Sequence, residues 1–192
     1  MGILRFSKVK TTIWQRFVDF AKALIGRDTQ FISIVLPLRV RRKLDEAMLR
    51  KAVESCCGAP LDDMTNFVVV EGPMRLVKVQ GHLFKVLNAG RPYIEDAQHS
   101  ASRLTDGQLK AAILGHQAWL SVDDMDFSNT KLNRNQKYAA VGKVAAEFID
   151  ENCLAICGPD EDVVVPVNSA SVEVLRKMHS PYELLEVLRE SP

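Results

Sequence analysis

The sequence predicts an α+β fold. Two β-α-β-β units would merge into one mostly antiparallel sheet, a ferredoxin-like sandwich with helices packed on one face and an extra N-terminal amphipathic helix. Three observations predict it. Segments with a two-residue apolar period alternate with segments of helical period, and the order β-α-β-β occurs twice. Glycine, proline and aspartate mark the boundaries between them. The 192 residues are 47% apolar and 26% charged, an ordinary globular balance that needs no metal or disulfide staple. Residues 1–30 read as a basic segment and 31–192 as one α+β domain.

The elements follow in order. "TTIWQRFVDFAKALI" (11–25) places Ile13, Trp14, Phe17, Val18, Phe20, Ala21, Leu24 and Ile25 at spacings of three and four, with Gln15, Arg16, Asp19 and Lys22 opposite. In "FISIVLPL", Ile32, Ile34, Leu36 and Leu38 share one parity, and Pro37 belongs at a strand end or an edge. "RRKLDEAMLRKAVESCC" is a helix ended by Gly58. "NFVVVEG" reads as a buried strand, and "MRLVKVQ" and "HLFKVLN" as a strand pair or one bulged strand around Gly81.

Thr105 and Gln108 form a capping box for the helix "DGQLKAAILG". "HQAWLSV" is the next strand, and parity puts His116 and Trp119 on opposite faces. His116 then serves as a strand-entry imidazole bonding backbone, and Trp119 lies under a helix. A long helix spans 132–151. "CLAIC" and "VVVPV" are strands joined by the acidic loop "GPDED", with Cys153 and Cys157 sharing parity as small core residues. Two helices close the chain, the last with Ser180 as N-cap and Pro181 at its first position.

"HQAWLSV" followed by a long helix and "CLAIC", together with "FISIVLPL" and the loop "GRPYI", resembles an uncharacterised bacterial family, domain of unknown function 4261. The resemblance covers about residues 31–168, and the loop departs from the doubled proline of the family pattern. That family has no established activity. The resemblance implies a compact α+β domain in which His116 and Trp119 occupy family positions.

Charge and motifs narrow the chemistry. The net charge of +1 supplies no global attraction to nucleic acid, although residues 1–30 carry +4 and the rest −3. Cys56, Cys57, Cys153 and Cys157 lack metal-knuckle spacing, and no secretory signal is evident, so reduced thiols in a bacterial cytoplasm are expected. No P-loop, dinucleotide, HExxH or GxSxG motif is present. The stretch from Asp124 fails as a calcium loop, with Asn129 and Asn135 where Gly and Glu are required. No cofactor is called for.

Two surface features remain. The strands at 117–122 and 153–157 are joined by one helix. In one sheet they would be parallel, about 10 Å apart with one strand between. Asp123, Asp124 and Asp126 would then share an edge with Asp160, Glu161 and Asp162, a candidate cation site or simply two acidic turns. The second feature is the N-terminal helix, where Trp14, Arg16, Phe17, Phe20 and Lys22 suit a protein partner, a peripheral membrane contact or packing on the domain itself. The expected function is a cytosolic interaction or regulatory domain that binds a protein partner. The alternative is a metal-assisted hydrolase or transferase on the acidic edge, with His82, His99 or His179 as base.

Overall fold

The computed structural model describes residues 32–62, 64–71, 74–125, 132–180, 182–184 and 186. The N-terminal segment with Trp14, Arg16, Phe17, Phe20 and Lys22 lies outside the described residues, as does Asp126 of the acidic edge. In chain order the elements are β1 (Ser33–Leu38), α1 (Glu46–Cys57), β2 (Phe67–Glu71), β3 (Met74–Val79), β4 (His82–Ala89) and α2 (Ala97–Ser102). There follow α3 (Gly107–Gly115), β5 (Ala118–Asp124), α4 (Arg134–Ala146), β6 (Ala155–Gly158), β7 (Val163–Pro166) and α5 (Ser169–Lys177).

The strands form one open sheet in the order β2-β3-β4-β5-β1-β6-β7, with every neighbouring pair antiparallel. β1 therefore runs between β5 and β6. β5-α4-β6 is a split β-α-β unit whose two strands are parallel to each other across β1.

The helices lie on both faces, not on one. Ile34, Leu36, Leu120 and Val122 join α1, α4 and α5 in one core. Val35, Trp119, Cys157 and Val164 join Ala101, Leu109 and Ile113 of α2 and α3 in a second core on the other face. β1 and β5 are accordingly buried at both parities, as strands covered from two sides must be.

Turn and cap chemistry sets the boundaries. Asp45 caps α1, and Gly58, left-handed at φ 63°, closes it with its N–H on the Glu54 carbonyl. Gln80 (φ 51°) and Gly81 (φ 85°) make the two-residue turn between β3 and β4, which are a hairpin. Asp106, rather than Thr105, caps α3, its carboxylate accepting from the Leu109 amide at 2.8 Å. The cap falls one residue later than Thr105, on a carboxylate, which is the better acceptor, and Leu109 at the third position closes no box. "DAQHSAS" contains α2, capped by Asp96.

The helix expected to run to 151 stops at Ala146. Phe148 and Ile149 still turn inward, but their amides bond to carbonyls three residues back, a tightened ending. The "VVV" run is an edge strand, with Val70 39% exposed. Pro37 sits next to last in β1, a central strand, so the end position rather than an edge accommodates it. Cys153 precedes β6 and enters the first core, whereas Cys157 enters the second, so their parity does not carry through. All four cysteines are free.

α4 and α5 approach closely at Gly142, where a Cβ would lie 2.8 Å from the Leu175 carbonyl oxygen. The Ser180 hydroxyl accepts from the Tyr182 amide, as expected of a cap, while Pro181, 185 and 187–192 lie outside the described residues, and with them most of the helix expected there. Among the described residues no helix is long and apolar enough to cross a membrane.

Candidate functional site

The acidic edge forms where β5 and β6 end on either side of the start of β1. Strand register sets Asp123 directly opposite Ser33. The Ser33 hydroxyl donates to Asp123 Oδ1 at 2.7 Å, and the Ser33 amide donates to Asp160 Oδ2 at 3.2 Å. The Tyr138 hydroxyl, from α4, donates to the same Asp160 oxygen at 3.2 Å. Two carboxyls, one from the end of β5 and one from the turn after β6, are thus gathered on one serine.

Their surroundings differ. Asp123 is fully buried. Burial pushes its carboxyl up to about 7, against the Ser33 and Ser121 hydroxyls and the charge of Lys85, its cross-strand neighbour. Asp123 Oδ2 makes no well-aligned hydrogen bond, and the Ser121 hydroxyl on the same face also lacks one. Asp160 is exposed on its outer side, and its inner oxygen is packed against Ser33 and Tyr138. Burial of that inner side raises its carboxyl to about 6, and water on the outer side limits the effect.

Of the other predicted carboxylates, Asp124 and Glu161 are engaged with cations. Asp124 pairs with Lys137 at 3.0 Å. Glu161 pairs with Arg134 and accepts from the Tyr182 hydroxyl at 3.0 Å, while the Arg134 guanidinium lies over the Tyr138 ring. Asp162 is left-handed at φ 53° and turns the chain from the 3₁₀ turn Pro159–Glu161 into β7. Among the described residues no three His, Cys, Asp or Glu side chains come together as a metal-holding group. The structure brings together Asp123 and Asp160, and Ser33 and Tyr138 are the partners that sequence reasoning missed. The register of β1 against β5 was the signal that would have found Ser33.

His116 and Trp119 do not diverge as parity suggested. The strand begins only at Ala118, and His116 is the C-cap of α3. Its Nδ1 faces the Ile113 carbonyl at 2.6 Å, and its Nε2 accepts from the Tyr93 and Ile94 amides at 3.0 and 3.2 Å. That set requires a neutral ring protonated on Nδ1. Burial lowers its pKa, in part offset by the bond to Ile113. Trp119 is buried in the second core, with the Tyr93 ring edge-on at 5.7 Å. Imidazole and indole thus both hold the Tyr93 loop. His99 and His179 are exposed, and His82 opens β4.

One surface was not foreseen. Cross-strand register lines up Phe67, Lys78 and Leu83 in one row and Val69, Leu76 and Lys85 in the next, on the face of β2–β4 opposite α1. These side chains are half-buried and belong to neither core. α3 contacts β6 and β7, whereas α1 contacts β2 and β3 from the other side. Lys78 lies over the Phe67 ring at 5.3 Å.

No family model, curated protein or solved structure matches this chain.

Proposed function

We propose that the chain is an interaction or regulatory domain that binds a protein partner through the apolar face of β2–β4. One observation carries the reading: Phe67, Val69, Leu76 and Leu83 form a contiguous apolar patch on which no described helix packs, with Lys78 and Lys85 among them. Such a patch suits a partner segment with apolar side chains and carboxylates to meet the two lysines. The same reading takes β5-α4-β6, with β1 between its strands, as the ferredoxin-like element of the fold.

The test is affinity capture with the tagged full chain and with a Val69→Glu/Leu76→Glu variant, followed by reconstitution with the purified partner. A partner whose affinity falls tenfold or more in the variant supports the reading. An identical set of partners, bound equally by both proteins, overturns it.

A second reading, metal-assisted hydrolysis or group transfer on the acidic edge, draws support from Asp123 and Asp160 meeting at Ser33 with one carboxylate oxygen unpartnered. Titration of Mn²⁺ or Ca²⁺ against melting temperature tests it. A site of this kind raises the melting temperature with metal concentration, and no shift at millimolar metal rejects it.

A further inference from the structure

The sheet ends differently at its two edges. β7, at one edge, is four residues long and closes on Pro166, and its valines are divided between the two cores. Shortness, proline and cover are the usual means of keeping an edge from pairing. β2, at the other edge, pairs residue for residue with β3 without a bulge, and "FVVVE" contains neither lysine nor proline. Val70 and Glu71 are exposed. Among the described residues no strand lies beyond β2. An edge of this kind is a template for a further strand.

Ladder alternation fixes which backbone groups face outward. The two-residue turn makes Val79 and His82 a hydrogen-bonded pair, so Lys78, Leu76 and Met74 direct their N–H and C=O groups to β2. Phe67, Val69 and Glu71 are their partners. Asn66, Val68 and Val70 therefore turn away from β3. The Asn66 carbonyl accepts from the Asp62 amide at 2.7 Å, as that orientation requires, and this turn closes one end of the edge. Val68 and Val70 remain, each presenting an N–H and a C=O at the open edge.

Charge selects the occupant and the register. Lys78 lies over the Phe67 ring at 5.3 Å, so its ammonium reaches towards the edge strand. A second β2 strand, antiparallel and with its Val70 opposite Val68, sets the partner subunit's Glu71 directly opposite Phe67, on the same face as Lys78. Two-fold symmetry repeats the ion pair. A shift of two residues sets Glu71 opposite Thr65 or Val69 instead. Stacking two copies through the apolar faces of β2–β4 would set Lys78 and Lys85 of one against the same lysines of the other, which opposes that arrangement. We propose that the occupant of this edge is a second copy of the chain: the two β2 strands pair antiparallel, Val68 with the partner subunit's Val70, and Glu71 of each copy meets Lys78 of the other across the Phe67 ring. Pairing uses the edge and leaves the apolar face of β2–β4 open. The two faces then lie side by side on one continuous sheet.

Sedimentation velocity of the full chain reads the outcome. One pair of five-residue strands is a small interface, so the expected result is a reversible dimer, with the 21.5 kDa mass doubling as concentration rises. Glu71→Lys and Lys78→Glu each place like charges together twice per dimer and should raise the dissociation constant roughly tenfold. The two substitutions combined exchange the charges and should restore dimerisation. Val70→Pro removes an outward N–H without touching the β3 ladder and should abolish the dimer while near-ultraviolet dichroism persists. Should Val70→Pro misfold, the charge exchange still decides, because Glu71 is exposed and Lys78 only half-buried. Amide exchange at Val68 and Val70 should slow as protein concentration rises. A mass that stays at 21.5 kDa up to on the order of 1 mM overturns the proposal. So does a dimer indifferent to Val70→Pro, or one that Val70→Pro breaks and the charge exchange leaves unmoved. Protection of the Val68 and Val70 amides in a monomer also overturns it, since residues of the same chain would then cover the edge.

Discussion

Asp123 and Asp160 are held by the same residue: Asp123 Oδ1 accepts from the Ser33 hydroxyl at 2.7 Å, and Asp160 Oδ2 accepts from the Ser33 amide at 3.2 Å. The start of β1 is clamped between the ends of the two strands that flank it.

Asp123 makes stability depend on pH. Its folded pKa is raised to about 7 by burial, above the ordinary carboxylate value near 4. The folded state then binds more protons than the unfolded chain between those values, so stability is greatest at the acid end and falls as pH rises to about 7. Asp160, raised to about 6, adds in the same direction. Asp123→Asn removes the ionising group. Urea melts should show the variant gaining on the wild type by on the order of 2 kcal/mol between pH 5 and pH 8. A gap independent of pH would show that Asp123 does not titrate in this window.

Ser33→Ala removes the 2.7 Å hydrogen bond that the Ser33 hydroxyl donates to Asp123 Oδ1. A buried carboxylate without a donor costs about 1–3 kcal/mol. The loss should be larger at pH 8, where the group is charged, than at pH 5. Carbon-13 titration of the Asp123 carboxyl should show its pKa moving further up in the variant.

His116 should stay neutral. Its Nε2 already accepts two amide protons, and its pKa lies below 6.5. Nitrogen-15 shifts should report the Nδ1–H tautomer with no titration near the ordinary histidine value. Because the unfolded ring protonates first as pH falls, this residue removes stability below about 6.5. His116→Ala leaves the Tyr93 and Ile94 amides without their acceptor and should cost about 2 kcal/mol at neutral pH, read from chemical melts.

Gly142→Ala sets a methyl group 2.8 Å from the Leu175 carbonyl, a backbone atom that cannot swing aside. α4 and α5 must separate, at about 1–3 kcal/mol. An unchanged denaturation midpoint would mean that the two helices are not held at this spacing.

Much of this architecture was legible in local pattern. The alternation of Ile34, Leu36 and Leu38 marked β1, Gly58 closed α1, and one helix between "HQAWLSV" and "CLAIC" implied parallel strands with a shared edge. These features depend on neighbours a few residues apart, and side-chain period and cap chemistry are local properties. The same alternation points to one apolar face, whereas Val35 and Trp119, at the opposite parity, enter a second core, so the helices lie on both faces.

What tertiary structure alone decided is which strand lies beside which. Only the insertion of β1 between β5 and β6 brings Ser33 to Asp123 and Asp160 and buries a carboxylate deeply enough to hold its proton near neutral pH. Only the placement of β2 at the sheet edge turns "VVV" from core into surface and leaves Leu76 and Leu83 in an apolar patch. Such pairings join residues far apart in the chain, and their free energy comes from burial shared among many partners. No short stretch of sequence carries that information.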